Sequence, residues 1–429
     1  MQELKVLTEF CGVINPKDAK DYINVGGFEG LKKAVKMDGQ EIIDVISDSG
    51  LRGRGGAGFP TGRKIQFAYN TDSDIKYIVC NADEGEPGTN KDRVLLSENP
   101  FLIIEGMAIM GKAIGSNCGY IYLRGEYSYI REILQAAIDS CVANNLLGKN
   151  ILDSGFDFEI RISSGAGAYV CGEETALFES IEGKRGEPRF RPPFPGVSGL
   201  FGKPTVLNNV ETIANIGLIL KHGADWFKGM GTEGSPGTKL FTVIGNIKHR
   251  GIYEFPMGIN LKDLIFNCCG GVEDGHQLLA VQAGGASGPF INAEQIDMPL
   301  DIDYVSSSGG RLGCGTIMVI DETNCIVDIV ANNAYFFKGE SCGKCTPCRE
   351  GTTRLYNFIE DISQGRGSLE TLRKIDDLTE TMNAASLCGL GRSATVPVTS
   401  AIRNFRGEFI KHIDKDYCPK CQGKRGDIA

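Results

Sequence analysis

Apolar and polar positions repeat at two different periods along this chain. Short apolar runs at Ile75–Cys80 and Gly119–Leu123, and an apolar–polar alternation over Phe156–Ile162, predict β-strands. Between them Ile130, Ile133, Leu134, Ala137, Ile138 and Cys141 recur at helical spacing and mark one face of a helix. The run Glu41–Ser47 also reads as helix. Strand–helix alternation over roughly residues 30–235 predicts an α/β layered domain, with ligands at loops beyond the strand carboxyl ends. The Gly-rich stretch 230–238, with Ser235 and Pro236, reads as a linker. Beyond it come Leu240–Ile244, Gly251–Phe255, a short helix near Leu261–Phe266, and Leu278–Gln282. Two strands, a helix and another strand predict a small β-grasp-like α+β domain. From about Ala331 the period is helical. Leu355, Phe358, Ile359 and Ile362 form one stripe; Leu369, Leu372, Leu378 and Met382 a second; Ile402, Phe405, Phe409 and Ile413 a third. These predict a helical bundle, and a division of the chain into 1–235, 236–330 and 331–429.

Composition narrows the class. A chain of 429 residues with 41% hydrophobic content holds about two to four folded domains. A net charge of −9 without an acidic or basic tail gives a nucleic-acid role no footing. Fifteen cysteines, an odd number, and no signal peptide predict a reducing, cytoplasmic setting in which thiols serve as ligands or core. No 18-residue apolar run occurs, so no transmembrane helix is expected and membrane association must come through partners.

The cysteines carry the sharpest chemical signal. In Cys342-Gly-Lys-Cys345-Thr-Pro-Cys348 three thiolates at C-x2-C-x2-C spacing suit three corners of an iron–sulfur cubane. No cysteine lies among Arg349–Thr352, so the distant Cys388 is the simplest fourth ligand. The alternative is a four-cysteine zinc site, although such sites usually show two separated C-x2-C pairs.

Five stretches add to this. Gly50–Gly62 is a glycine loop with Arg52 and Arg54, able to bring backbone amides close to an anion or a flat ring; a structural glycine turn is the plain alternative. Asp83, Glu84 and Glu86 crowd the end of a strand, suiting ligand hydroxyls, or else a solvated turn. Ser163–Thr175 runs from a strand into a helix, with glycines suited to phosphate and Glu173 and Glu174 also suited to capping. Phe194 offers an aromatic ring, and Asn208 and Asn209 offer paired amides. His222, His249, His276 and His412 are scattered and read as surface or hydrogen-bonded side chains.

Five segments together resemble one family. They are Arg52–Gly62, Asn81–Gly88, Cys171–Leu177, Lys203–Thr212 and Ser341–Arg349. The chain, from about Asp44 to Ile413, resembles the flavin- and NADH-binding subunit of respiratory complex I, the 51 kDa-type F subunit of NADH-quinone oxidoreductase. The resemblance implies an α/β, Rossmann-like FMN/NADH domain, a ubiquitin-like β-grasp domain and a C-terminal helical bundle carrying one [4Fe–4S] cluster. It implies cluster ligands at Cys342, Cys345, Cys348 and Cys388. It places FMN contacts at Gly53, Arg54, Gly55, Lys64, Asn81, Asp83, Glu84, Gly172, Glu173, Asn208, Asn209 and Thr212. NADH contacts match Phe59, Phe67, Glu86, Glu174, Arg191 and Phe194, with Glu86 the residue carried as catalytic. Arg63 and Ile65 beside Lys64, and Asn90 after Gly-Thr, depart from the family pattern. The implied activity is NADH oxidation by hydride transfer to FMN, with single electrons passing to the cluster and on towards quinone. Implied partners are a [2Fe–2S] thioredoxin-like subunit of the 24 kDa type and the large iron–sulfur subunit. The implied location is the hydrophilic arm, peripheral to the inner membrane, with no direct insertion. Diaphorase subunits of NAD-linked hydrogenases, formate dehydrogenases or electron-bifurcating complexes share the chemistry, and a non-catalytic metal-binding assembly module is the alternative from another class. Cys418 and Cys421 lie outside the resemblance and read as incidental thiols in a tail, or as a metal or redox pair.

Overall fold

The computed structural model describes residues 3–307, 310–414, 418, 420 and 421. Two five-stranded sheets and a set of helices share the chain. The first sheet is built from β1 (Tyr77–Ala82), β2 (Cys118–Leu123), β3 (Gly148–Ile151), β4 (Phe156–Ser164) and β5 (Thr205–Asn209). Its order is β3-β4-β2-β1-β5; all neighbours are parallel except β3, which runs antiparallel to β4 at the edge. Central β1 buries Ile78, Val79, Cys80 and Ala82, as expected of a parallel strand covered on both faces. Strand β4, next to the edge, keeps an alternating exposure over Phe158–Arg161. The chain moves one way from β1 to β2 and the other way to β5, so the switch point lies at the carboxyl ends of β1 and β5.

The helix Phe101–Ile114 runs through the first domain's core, with thirteen of its fourteen residues buried. Such a helix is apolar all round and leaves no periodic signature in sequence. Its Glu105 accepts hydrogen bonds from Tyr22 Oη, Phe28 N and Leu31 N, which anchors the N-terminal helices.

The second sheet holds β6 (Thr238–Gly245), β7 (Gly251–Pro256), β8 (Leu278–Ala283), β9 (Phe290–Asn292) and β10 (Thr316–Asp321). Its order is β7-β6-β10-β8-β9, with β10 parallel to β6 and the other pairs antiparallel. A first and a last strand parallel at the centre of a mixed sheet make this a β-grasp. The stretch 230–238 is a short turn, closed by a Gly231–Pro236 bridge, before β6. Near the start of the chain, Val6, Leu7 and Thr8 amides all donate to the buried Glu254 carboxylate on β7.

The helices Ile326–Glu340, Thr346–Ser363, Leu369–Ala385, Gly389–Ser393, Thr395–Asn404 and Arg406–Ile413 form the third part. Helix begins at Ile326, a few residues before the expected boundary, because Asp321 ends β10 by accepting bonds from Thr323 and Asn324. Leu355, Ile359, Ile362, Leu372, Met382, Ile402 and Phe409 are buried as their stripes predict. Leu369 is exposed, because it opens its helix directly after the Ser368 cap. Among the described residues no single helix is long and apolar enough to cross a membrane.

Candidate functional site

The carboxyl ends of β1 and β5 open into a cleft of about 290 Å³. Asn81, Asp83, Glu84 and Glu86 line it from β1 and the turn after it, and Asn209 lines it from β5. Tyr169, Gly172 and Glu173 come from the loop after β4. The glycine loop contributes Gly55 and Gly56, and the β-grasp sheet closes the cleft with Gly284, Ser287, Arg311 and Cys314. A further wall is Gly389, Leu390 and Ser393, directly after Cys388. An adjoining cavity of about 210 Å³ is lined by Gly53 and Arg54 and shares Gly56, Ala57, Arg311 and Gly313 with the cleft.

The glycine loop is a cradle a side chain would fill. A Cβ on Gly55 would lie 2.8 Å from Asn209 Cβ, and Gly56 has φ +130, outside the range of ordinary residues. Arg54 is fixed beneath it: its amide donates to Thr212 Oγ1 at 2.8 Å and its Nη2 donates to Pro236 O at 2.5 Å. The Arg54 Nε and Nη1 atoms are buried without a partner. Burial lowers the guanidinium to about 10, which still leaves it charged at neutral pH. An unpaired buried cation in a glycine cradle has the donor chemistry for a phosphate or a carbonyl-rich ring.

The carboxylates divide into two kinds. Glu84 is fully committed: it accepts from Asp92 N at 2.8 Å, Arg93 N at 3.1 Å and Tyr127 Oη at 2.9 Å. It therefore fixes the start of the Lys91–Glu98 helix. Glu173 caps the Glu174–Ile181 helix through one oxygen, which accepts from Thr175 N and Ala176 N at 2.9 Å. Its other oxygen is buried and accepts no hydrogen bond, with the Arg191 guanidinium 3.6 Å away. Asp83 Oδ2 is likewise buried and unpaired. Burial pushes Asp83 up to about 7, against the pull of Arg124. Glu86 accepts from Tyr169 Oη at 2.7 Å and Ser287 N at 2.8 Å, and burial holds it above the usual carboxylate range despite those bonds.

Other residues singled out in the sequence sit around this rim. Asn81 Nδ2 donates to Gly172 O at 2.9 Å, tying β1 to the loop after β4. Lys64 Nζ donates to Leu207 O at 3.0 Å and lies 3.5 Å from Glu174. Arg191 pairs with Glu174 at 2.6 Å. Asn208 is not among the cleft's lining residues. Successive strand residues face opposite sides, so Asn209 turns to the cleft while Asn208 Nδ2 lies 3.6 Å from Met110 Sδ in the core. Phe59, Phe67 and Phe194 are exposed rings outside the cleft's lining.

An ion network absent from the sequence reading reaches the wall of the cleft through Lys91 and Asp92, and that of the adjoining cavity through Lys239. Lys91 Nζ is 2.6 Å from Asp92 and 2.9 Å from Glu211, and Lys239 Nζ is 2.6 Å from Glu211, all four side chains almost wholly buried. Burial alone raises Glu211, but Lys239 and Lys91 outweigh it and hold the carboxyl low. Leu240 N also donates to Glu211 at 2.9 Å. In sequence Lys91 and Asp92 resemble an ordinary helix start, and Lys239 sits in a strand; nothing there signals a shared partner. The β-grasp wall did leave a sign, the glycines of Gly284–Gly288 after β8.

Cys342, Cys345, Cys348 and Cys388 are all free thiols. Burial, with the Cys345, Cys388 and Cys342 sulfurs nearby, pushes Cys348 up to about 11 against its contact with Ser341. A crowd of thiols suits compensation by cationic metal. Cys345 stands at the N-cap of Thr346–Ser363, whose dipole favours negative charge there. Arg185 donates to Cys342 O at 2.7 Å and Lys344 donates to Pro188 O at 2.8 Å, so the α/β domain grips the cysteine loop.

Three family models match the chain in order. Residues 46–218 match the Nuo51 FMN-binding domain, 240–291 the SLBB domain, and 328–412 the NADH-ubiquinone oxidoreductase-F iron-sulfur binding region. The F subunit of NADH-quinone oxidoreductase from Streptomyces coelicolor is 47% identical over 393 residues, 92% of this chain and 87% of that protein. The HndC subunit of the NADP-reducing hydrogenase from Solidesulfovibrio fructosivorans is 46% identical over 418 residues, 97% of this chain and 85% of that protein. A chain of the NAD+-reducing [NiFe]-hydrogenase in the H2-reduced state superposes with a TM-score of 0.83 at 39% identity, over 91% of this chain. The alignment spans 66% of that hydrogenase chain's length.

Proposed function

The chain belongs to the family of NADH-quinone oxidoreductase F subunits, and on that premise we propose that it is the NADH-oxidising, electron-input subunit of respiratory complex I. It is an FMN- and [4Fe–4S]-binding flavoprotein. The observation that carries the reading is the shared wall: Gly389, Leu390 and Ser393, next to Cys388, line the same cleft as the glycine cradle and the carboxylate turn. A donor site and a one-electron acceptor site are thereby neighbours.

FMN, when bound, accepts a hydride and releases electrons singly, which is chemistry no side chain here supplies. The protein's part is to bind and orient. Arg54, Asp83 and the free oxygen of Glu173 offer their unpaired atoms, while Gly53, Gly55 and Gly172 keep the backbone accessible and Asn81, Asn209 and Thr212 fix the loops. Glu84, on the cleft wall, and Lys64 act as positioning groups, and Asn208 packs the strand. Glu86, Glu174 and Arg191, with the exposed rings of Phe59, Phe67 and Phe194, receive the nucleotide at the rim. Cys342, Cys345, Cys348 and Cys388 hold the cluster.

The chain works with other subunits, since its relatives are subunits of larger enzymes. The [2Fe–2S] thioredoxin-like subunit and the large iron–sulfur subunit are the proposed next carriers, in an arm peripheral to the inner membrane. A diaphorase subunit of an NAD-linked hydrogenase is the second reading, favoured by the HndC alignment reaching 97% of this chain against 92% for the Streptomyces coelicolor relative.

The test begins with protein purified without oxygen. Flavin, iron and acid-labile sulfide are measured, and the visible spectrum is recorded before and after NADH. Bleaching of both flavin and cluster bands is expected. Cys388→Ala is expected to lose iron and sulfide while keeping FMN. A colourless, flavin-free protein, or a full cluster in the variant, overturns the reading. Capture of the native assembly then separates the two parents: NADH-driven quinone reduction marks one, hydrogen-driven NAD+ or NADP+ reduction the other.

A further inference from the structure

One group of ligands remains outside everything described so far. Cys325, His412, Cys418 and Cys421 bring one ligand atom each to within 4.8 Å of all the others. His412 Nε2 lies 3.5 Å from Cys325 Sγ and 3.3 Å from Cys421 Sγ, and the Cys421 and Cys418 sulfurs are 3.2 Å apart. Cys325, His412 and Cys421 are buried. We propose that these four residues bind a single structural zinc ion, separate from the iron–sulfur cluster.

The geometry favours one ion. Arms of about 2.3 Å to sulfur and about 2.0–2.1 Å to nitrogen give tetrahedral edges of roughly 3.5–3.8 Å. The observed separations match that scale. The thiolates of a cubane stand on four separate irons and are spread wider, so this set is too tight for a second cluster. Three sulfurs and one imidazole also suit zinc in kind, and Cys418-x2-Cys421 has the spacing of a zinc half-site.

The histidine is prepared for the role. Its Nδ1 lies 2.7 Å from the Glu408 carbonyl oxygen, an atom that only accepts. Nδ1 therefore carries the proton, and Nε2 presents a lone pair to the three sulfurs. Cys325 occupies the N-cap of Ile326–Glu340, whose amides complement a bound thiolate. The sequence leaves Cys418 and Cys421 as incidental thiols or a metal or redox pair, and His412 as a surface or hydrogen-bonded side chain; their partner Cys325 stands 87 residues from His412, too distant for spacing to reveal.

The position indicates structure rather than electron transfer. Zinc has no accessible redox change. The Ile326–Glu340 helix has fifteen residues, about 22 Å, and its far end opens into the Cys342 loop. An ion at Cys325 would pin the last described residues to the junction between β10 and the helix that carries the cluster loop.

The experiment uses the full chain, purified anaerobically and dialysed against a mild chelator, then analysed for zinc, iron and sulfide. About one zinc per chain beyond the cluster iron is expected. Cys421→Ser and His412→Ala are each expected to lower zinc about tenfold or more, leaving FMN, iron, sulfide and NADH–ferricyanide turnover unchanged. If both variants fail to fold, cobalt(II) exchanged into the wild type supplies the test, through thiolate charge-transfer and tetrahedral bands. Zinc lost on dialysis, zinc unaltered in both variants, an octahedral cobalt spectrum, a Cys418–Cys421 disulfide in anaerobic protein, or iron in zinc's place each overturns the assignment.

Discussion

The loops around the cleft and the ion network beside them are built from the same residue types and differ in one respect. In the network, Lys91, Asp92, Glu211 and Lys239 are all paired and nearly inaccessible. On the loops, Arg54, Asp83 and Glu173 each keep a buried polar atom with no hydrogen-bond partner, that of Glu173 lying 3.6 Å from Arg191. Buried polar groups are rarely left unpaired without cause, because each costs about 1–3 kcal/mol. The paired set is scaffold; the open atoms of Arg54, Asp83 and Glu173 are those we propose to meet the flavin. Thr61, Asn99, Arg124 and Ser386 also keep a buried atom without a hydrogen-bond partner, so it is the missing partner together with a place on the cleft or its adjoining cavity that marks the three.

The comparison is broken most severely at the ion network. Glu211→Ala leaves Lys91 and Lys239 buried without their shared carboxylate, and is expected to cost about 3–5 kcal/mol. Urea unfolding measures it; a loss under about 1 kcal/mol would mean the lysines find other partners.

On the loops, removing charge is expected to stabilise the protein when it is stripped of flavin. The folded value of Asp83, about 7, lies above the unfolded value of about 3.9. The unfolded chain therefore releases this proton first, and stability falls as pH rises between those values. Asp83→Asn removes that loss. Its advantage over wild type is expected to be near zero at about pH 4 and about 4 kcal/mol at about pH 8. Parallel pH–stability curves would show that Asp83 is solvated.

A smaller effect concerns nucleotide choice. Arg191 is already held by Glu174 at 2.6 Å and by Glu173 at 3.6 Å, and Lys64 by Glu174 at 3.5 Å. A 2′-phosphate would meet carboxylates whose cations are taken, so kcat/KM is expected to favour NADH over NADPH by about tenfold, ~1.4 kcal/mol. Equal values would place Arg191 on the phosphate side. The mildest change is Glu86→Gln: its oxygen keeps the bond from Ser287 N, while its amide group removes the charge and reverses the bond to Tyr169, whose hydroxyl then accepts. Inhibition by NAD+ is expected to weaken about threefold, with turnover at saturating NADH within about twofold. Near-complete loss of turnover would make Glu86 indispensable to the reaction.

What the sequence made legible follows the same division. The Cys342–Cys348 triplet and the glycine loops are contiguous, so their chemistry survives in one dimension. The β-grasp pattern was readable from β6, β7 and β8; its central strand β10 carries an equally apolar run, Ile317–Ile320, which the sequence reading leaves out. Phe101–Ile114 was hidden because a helix buried on every side has no polar face to set a period. Glu211 reads as an ordinary first-turn acid, and only the fold brings Lys91 and Lys239 to it. Asn208 and Asn209 read as a pair, and the pleat of β5 separates them.

The clasp between the start of the chain and Glu254 also has a consequence in time. The amides of Val6, Leu7 and Thr8 precede the carboxylate they satisfy by 248 to 246 residues. On a ribosome moving at about 5–20 residues per second, they wait roughly 10–50 s for Glu254 to be made. Val6, Leu7 and Thr8 thus settle long after they are made. The parallel sheet is complete once Asn209 has appeared, before that clasp can close.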